Sequence, residues 1–297
     1  MLNKYSIISK IKVIDKGILF MLSSALIGAL SGAVAKILSD TMDPIEIVFY
    51  RNLLGVIIVL YSLKKIPVAI DMSKLNLLVL RGVFGTLAML CYFYTIASIP
   101  LGEAVILNKT SPFFVTIFAY YLMKESISMS TILALIIGFL GVIFIIKPFG
   151  LEISFEHILG ILGGFFAAAA YATIKKIKDI YDARIIMLSF MGIGVIIPLF
   201  ILLFTSFVEF KIYTDPIVWA LIAFMAVLST ASQWFLTRAY SLSAASIIGV
   251  ISYTSIPFAV GFGLMLGDEI PDIYAISGIA LIALGGILVG RKPRKKE

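Results

Sequence analysis

Asn108-Lys109-Thr110-Ser111-Pro112 and Tyr253-Thr254-Ser255-Ile256-Pro257 are two versions of one pentapeptide, 145 residues apart, each inside a long apolar stretch. The match continues downstream. Glu125 follows Pro112 by 13 residues, and Glu269 follows Pro257 by 12. A glycine lies 16 residues beyond each glutamate, Gly141 and Gly285, and a Lys-Pro pair closes each half, Lys147-Pro148 and Lys292-Pro293. The ordered set reads as a duplication with halves at 1–150 and 151–297. The copies differ where Lys109 stands against Thr254.

The 297 residues are 61% hydrophobic and 14% charged, with a mean hydropathy of +1.09. Soluble domains are about 45–50% apolar and 25% charged. A core of this size cannot hide such a surplus, so the chain belongs in a bilayer, with lipid as its surroundings. The net charge of +7 does not point to nucleic acid, because the basic residues gather at the ends of apolar stretches, as membrane topology requires. One cysteine, Cys91, and one histidine, His157, leave no internal disulfide and no His/Cys metal spacing. No acid–base–nucleophile constellation is evident, so no catalytic residue, metal or cofactor is expected. The apolar run after Gly17 reads as a retained first helix and not as a removed signal peptide.

A membrane helix needs about 20 apolar residues. Ten candidates lie at 17–38, 44–62, 77–98, 101–123, 131–147, 158–176, 184–207, 216–237, 243–266 and 272–290. With the N-terminus inside, nineteen basic residues fall on the cytoplasmic side, Arg81 among them, and only Lys147 and Lys211 on the other. Both termini are therefore expected in the cytoplasm, with the chain in the cytoplasmic membrane. Five spans per half is an odd number, so the second copy enters from the opposite side. The expected fold is an all-α membrane protein of ten transmembrane helices in two inverted five-helix repeats, an arrangement typical of secondary transporters.

Three bases remain after those assigned to the two membrane faces are counted: Lys36, Arg51 and Lys109. A charge near the bilayer centre costs about 2.5–3.5 kcal/mol on insertion scales and normally faces a pathway or a partner. Lys109 lies about 12 Å into its span and Arg51 about 10 Å into its own. Both are candidates for holding an anionic group of a solute, with an ion pair to a neighbouring helix as the structural alternative. Lys36, Glu46 and Glu103 are candidates for ion pairing or proton coupling. Asn108, Ser111, Tyr253 and Trp234 could complete a binding site by hydrogen bonding or stacking, and Pro112 and Pro257 are candidate hinges.

The stretch from Gly102-Glu103 through Asn108-Lys109-Thr110-Ser111-Pro112 to Lys124-Glu125 resembles the fourth helix of EamA-type proteins of the drug/metabolite transporter superfamily. Pro257 to Glu269 with the glycine-rich last span is similar to the second EamA repeat, and Lys36, Arg51 and Arg81-Gly82 also fit. The resemblance implies two inverted five-helix repeats around a cavity lined by the first four helices of each. It implies transport of a small organic solute by alternating access, and the balance of three bases against Glu46 and Glu103 favours one that is amino-acid-like or carboxylate-bearing. The alternatives are an S-adenosylmethionine-type carrier, a membrane-embedded enzyme and a non-transporting solute receptor.

Overall fold

The computed structural model describes residues 15–68, 71–99, 101–146, 155–205, 211, 213–267, 270 and 272–290. Among them, all regular structure is helical. In chain order the elements are α1 (Lys16–Leu38), α2 (Pro44–Lys65), α3 (Leu75–Ser98), α4 (Leu101–Asn108), α5 (Ser111–Met123), α6 (Met129–Ile146), α7 (Phe155–Ile177), α8 (Ala183–Phe204), α9 (Pro216–Leu242), α10 (Ala245–Ile251), α11 (Ser255–Met265) and α12 (Ile273–Gly290). A 3-10 turn, Ser252–Thr254, joins α10 to α11. Seven stretches are long and apolar enough to cross a membrane: α1, α2, α3, α7, α8, α9 and Ala245–Met265. Shorter apolar segments lie at Met129–Gly141 and Ile276–Gly285. The chain is a multi-pass helical membrane protein.

Aspartates decide where several helices begin. Asp15, Asp43, Asp182 and Asp215 cap α1, α2, α8 and α9, each accepting a backbone N–H two residues on. Such a side chain satisfies one of the four N–H groups that a helix start leaves unpaired. Pro44 and Pro216 follow their caps directly, where a missing N–H costs nothing.

The expected spans at 101–123 and 243–266 are both interrupted. Proline lacks an N–H, and its ring excludes the carbonyl four residues earlier. For Pro112 that carbonyl belongs to Asn108, and for Pro257 to Tyr253. Helix α4 stops at Asn108, and α10 stops just before the turn holding Tyr253. Each proline then sits in the first turn of the resuming helix, α5 or α11.

The bundle packs in corresponding pairs. Helix α6 runs along α12, and α2 along α8; α3 lies against α7 as α1 lies against α9; α3 meets α8 as α2 meets α9. The broken helices face each other, α5 on α10 and α4 on α11. Lipid gives apolar helices no reason to associate, so close backbone approach at small residues carries the packing. The matched glycines serve that purpose reciprocally. A Cβ on Gly141 would lie 2.6 Å from the Gly278 carbonyl oxygen, and one on Gly285 would lie 2.9 Å from that of Ala134.

The α4–α5 break is seated on three glycines of α7. A Cβ at Gly160 would meet Leu107, and one at Gly163 would meet Cys91 and Asn108. One at Gly164 would lie 2.3 Å from Thr110 Oγ1 and 3.1 Å from the Asn108 carbonyl oxygen and the Ser111 nitrogen. Backbone cannot retreat as a side-chain tip can. Gly164→Leu should therefore destabilise the purified protein by about 1–3 kcal/mol, seen as a lower melting temperature in detergent. Gly192→Ala, where nothing lies within 4 Å, should leave the melting temperature unchanged.

Candidate functional site

A central cavity opens between the halves, with about 160 Å³ of room for water centres. Its walls come from α1, α2, α3, α7, α8 and α9, with Asn108 at the end of α4. The lining follows one register in both halves. Gly28, Ser31 and Gly32 are the 13th, 16th and 17th residues of α1, and Ala167, Ala170 and Tyr171 hold the same places in α7. Arg51 is the eighth residue of α2, and Phe190 the eighth of α8. Gly85, Ala88 and Met89 lie 13, 10 and 9 residues before the end of α3, as Ser229, Ser232 and Gln233 do before the end of α9.

The charges do not share this symmetry. Arg51 and Arg81 both line the cavity and are buried, 6% and 1% exposed, while no aspartate or glutamate lines it among the described residues. Arg51 donates to Asn52 Oδ1 at 3.2 Å and to the Met89 sulfur. Its guanidinium carbon lies 6.0 Å from the Phe93 ring centre and 5.8 Å from that of Phe190. Arg81 lies over the same Phe190 ring at 4.6 Å, and its Nη2 donates to Gln233 Oε1 at 3.4 Å. Among the described residues the Nε atoms of both arginines have no hydrogen-bond partner. Neither guanidinium forms an ion pair with a described residue.

Neutral polar groups come largely from α9. Ser31 and Ser229 pair at 2.5 Å, and Ser24 donates to the Ser232 carbonyl at 2.9 Å. A Cβ on Gly28 would press on Ser232 Oγ at 2.9 Å. The small face of α1 therefore brings α9 close and sets serines and Gln233 opposite the arginines.

Arg81 was expected as a cytoplasmic loop charge; that reading is corrected. Helix α3 begins at Leu75, so Arg81 is its seventh residue and already deep in the bundle. The available signal was Gly85, one turn on. A Cβ there would lie 2.2 Å from Arg81 Nη1, so the bare glycine is what lets the guanidinium fold against its own helix.

The other expected residues divide. Arg51 and Asn108 meet at the cavity. Lys109 is half-buried at the α4–α5 break, does not line the cavity, and has no side-chain partner among the described residues. Ser111 is buried at the start of α5 behind the lining. Tyr253 is fully buried away from the cavity, its ring against Gly138 and its hydroxyl without a hydrogen-bond partner among the described residues. Trp234 is exposed and edge-on to Phe20 and Phe235, whereas its neighbour Gln233 faces the cavity. The side chain of Glu103 lies outside the described residues, as do Lys147, Glu269 and Lys292.

Glu46 and Lys36 have structural partners. The buried Glu46 carboxylate accepts from the Asp43 and Lys211 N–H groups and the Tyr213 hydroxyl, tying the segment before α9 to the start of α2. Burial, then the Glu46 carboxylate, push the Tyr213 phenol well above its usual range, so it stays a donor. Lys36 donates to the Ile96 and Ile99 carbonyls at the end of α3. Lys175, at the same place in α7, donates to the Ser243 carbonyl that ends α9 and pairs with Glu125 at 3.7 Å. Glu125 in turn accepts from the Ala245 N–H and caps α10.

The EamA-like transporter family matches this chain twice, over residues 15–147 and 154–291. The protein belongs to that family. The pseudopaline exporter CntI of Pseudomonas aeruginosa strain UCBPP-PA14 is 31% identical over 280 residues, covering 94% of this chain and 97% of the relative. An uncharacterized transporter of Helicobacter pylori strain 26695 is 31% identical over 289 residues, covering 95% and 96%. A riboflavin transporter of Vibrio cholerae is 22% identical over 287 residues, covering 95% of both chains. One solved crystal structure shares the fold with a TM-score of 0.74 at 14% identity, over 92% of this chain and 95% of the other. The EamA protein is thus a membrane transporter handling small solutes, and not an enzyme.

The end-capping lysines give a test that separates structure from transport. Replacing Lys36 by Met removes charged donors from two carbonyls and should cost about 1.5–3 kcal/mol of stability, read as a lower melting temperature in detergent. The KM for a transported solute should not change. A large KM increase at unchanged stability would place Lys36 on the solute route.

Proposed function

We propose that this protein is a secondary transporter that moves a small carboxylate-bearing solute across the cytoplasmic membrane by alternating access. The observation that carries this reading is the pair of buried guanidiniums facing one cavity, with no carboxylate among the described residues that line it. Arginine is always charged and offers a planar fork that matches a carboxylate bidentately. In a low-dielectric cavity two such groups favour an anion over a neutral solute or a cation. Asn108, Ser229, Ser232 and Gln233 supply neutral hydrogen bonds around it.

The proposed frame is ten spans in two inverted repeats, 1–150 and 151–297, with both termini cytoplasmic. The matched lining registers and the corresponding helix pairs support it, as does the double family match. In this frame the broken helices at Pro112 and Pro257 are the flexure points. Lys109, at the first break, lies on the route of the solute and outside its resting site. The carboxylate reading is favoured over an S-adenosylmethionine-type substrate because the lining has two cations and no anion.

Counterflow in proteoliposomes against amino acids, carboxylates, S-adenosylmethionine and riboflavin, with and without a proton gradient, tests the reading. A carboxylate-bearing solute should exchange. Arg51→Ala should lower its kcat/KM by at least about tenfold, and Lys109→Ala by less. Exchange of only cationic or neutral solutes, or an Arg51→Ala protein that transports like the parent at equal expression, would refute it.

A further inference from the structure

Arg51 and Arg81 line one cavity but are anchored separately. They enter from opposite ends of an antiparallel pair, Arg51 the eighth residue of α2 and Arg81 the seventh of α3. Each has its own neutral anchor, Asn52 Oδ1 for Arg51 and Gln233 Oε1 for Arg81. They share the Phe190 ring, whose centre lies 5.8 Å from one guanidinium carbon and 4.6 Å from the other. The two carbons are therefore no farther apart than those distances laid end to end. The cavity thus presents two cations that share one aromatic ring.

We propose that the transported solute carries two anionic groups, one held at Arg51 and the other at Arg81, joined by a short chain that crosses the Phe190 face. A dicarboxylate or an amino-dicarboxylate has this form. The inference rests on the reading of the cavity as an anion-accepting transport site, and it adds the number and spacing of the charges. A single carboxylate would answer one guanidinium and leave the other buried beside it without a counter-charge. A dianion of matching length answers both, and the second contact is made intramolecularly once the first has formed. Affinity should therefore pass through a maximum with chain length.

The probes are a series of α,ω-dicarboxylates from malonate to suberate and monocarboxylates of equal chain length. Each is titrated against the purified full-length protein in detergent, with its thermal stabilisation measured. In the parent, one or two dicarboxylate lengths should bind at least about tenfold more tightly than the matching monocarboxylate, a ratio that one charge-assisted hydrogen-bonded contact supplies. This comparison needs no mutant. Arg51→Ala and Arg81→Ala should each erase the preference, dicarboxylate binding falling by a clearly larger factor than monocarboxylate binding. Arg51→Lys and Arg81→Lys keep the charge and should retain part of it. Equal binding of mono- and dicarboxylates by the parent, lost altogether in either alanine variant, would mean that one carboxylate bridges both arginines. The two-anion proposal would then fall while the anion-transport reading stood. If no carboxylate binds the parent and none exchanges in counterflow, both fall.

Discussion

Two buried guanidiniums share a bilayer-spanning bundle, with no carboxylate among the described residues that line their cavity, and the architecture around the cavity answers to that constraint. Each charge costs about 2.5–3.5 kcal/mol on insertion scales. Like charges within about 10 Å also repel by more than about 1.5 kcal/mol at an effective dielectric near 20. Cation–π contacts return about 0.5–2 kcal/mol each, and Arg51 touches two rings where Arg81 touches one. Hydrogen bonds to Asn52 and Gln233 add to this. None of these partners is an anion, which is the condition under which a bound anion gains most.

The register of the lining explains how a near-symmetric frame produces an asymmetric site. The eighth residue of α2 is Arg51, and the eighth of α8 is Phe190. These two positions face each other, so the second half offers an aromatic face where the first offers a charge. On α3 and α9 the exchange runs the other way: Gly85 and Ala88 are bare, while Ser229 and Ser232 carry hydroxyls. Both cations thus come from the first half, while the second supplies Ser229, Ser232 and Gln233 beside the first half's Ser31 and Asn108. Lys36 and Lys175 keep the frame the same on both sides, because each closes the end of a neighbouring helix by the same contact.

Most of the frame was legible in the sequence, and the reasons are local. Apolar runs of spanning length mark the long helices, and Pro112 and Pro257 sit at the breaks, where each excludes the carbonyl four residues before it, although Pro198 lies inside an unbroken α8. The cavity was legible only in part. Arg51 and Asn108 stood out as polar residues in apolar stretches. Arg81 did not, because its depth depends on where α3 starts. Lys74 and Leu75 decide that boundary, and a cap without a side-chain hydrogen bond leaves little trace. Lys36 and Glu46 looked like candidates for chemistry because sequence shows a buried charge but not its partners, here the ends of α3 and the segment before α9. Trp234 and Gln233 are adjacent in sequence, yet the helix turns one outward and the other into the cavity.

The paired pentapeptides differ in energy as well as in sequence. Asn108 sits where α4 ends and opens on the cavity, so its amide has polar surroundings. Its counterpart Tyr253 is wedged against Gly138, with a buried hydroxyl that has no partner among the described residues. An unsatisfied buried hydroxyl costs about 1–3 kcal/mol, and the first break carries its own group unpartnered among the described residues in Lys109. The glycines of α7 hold the first break by backbone contact, whereas the second packs along α1 and α12 with the Tyr253 ring against Gly138. The two breaks therefore occupy corresponding places in the bundle but are seated by different contacts.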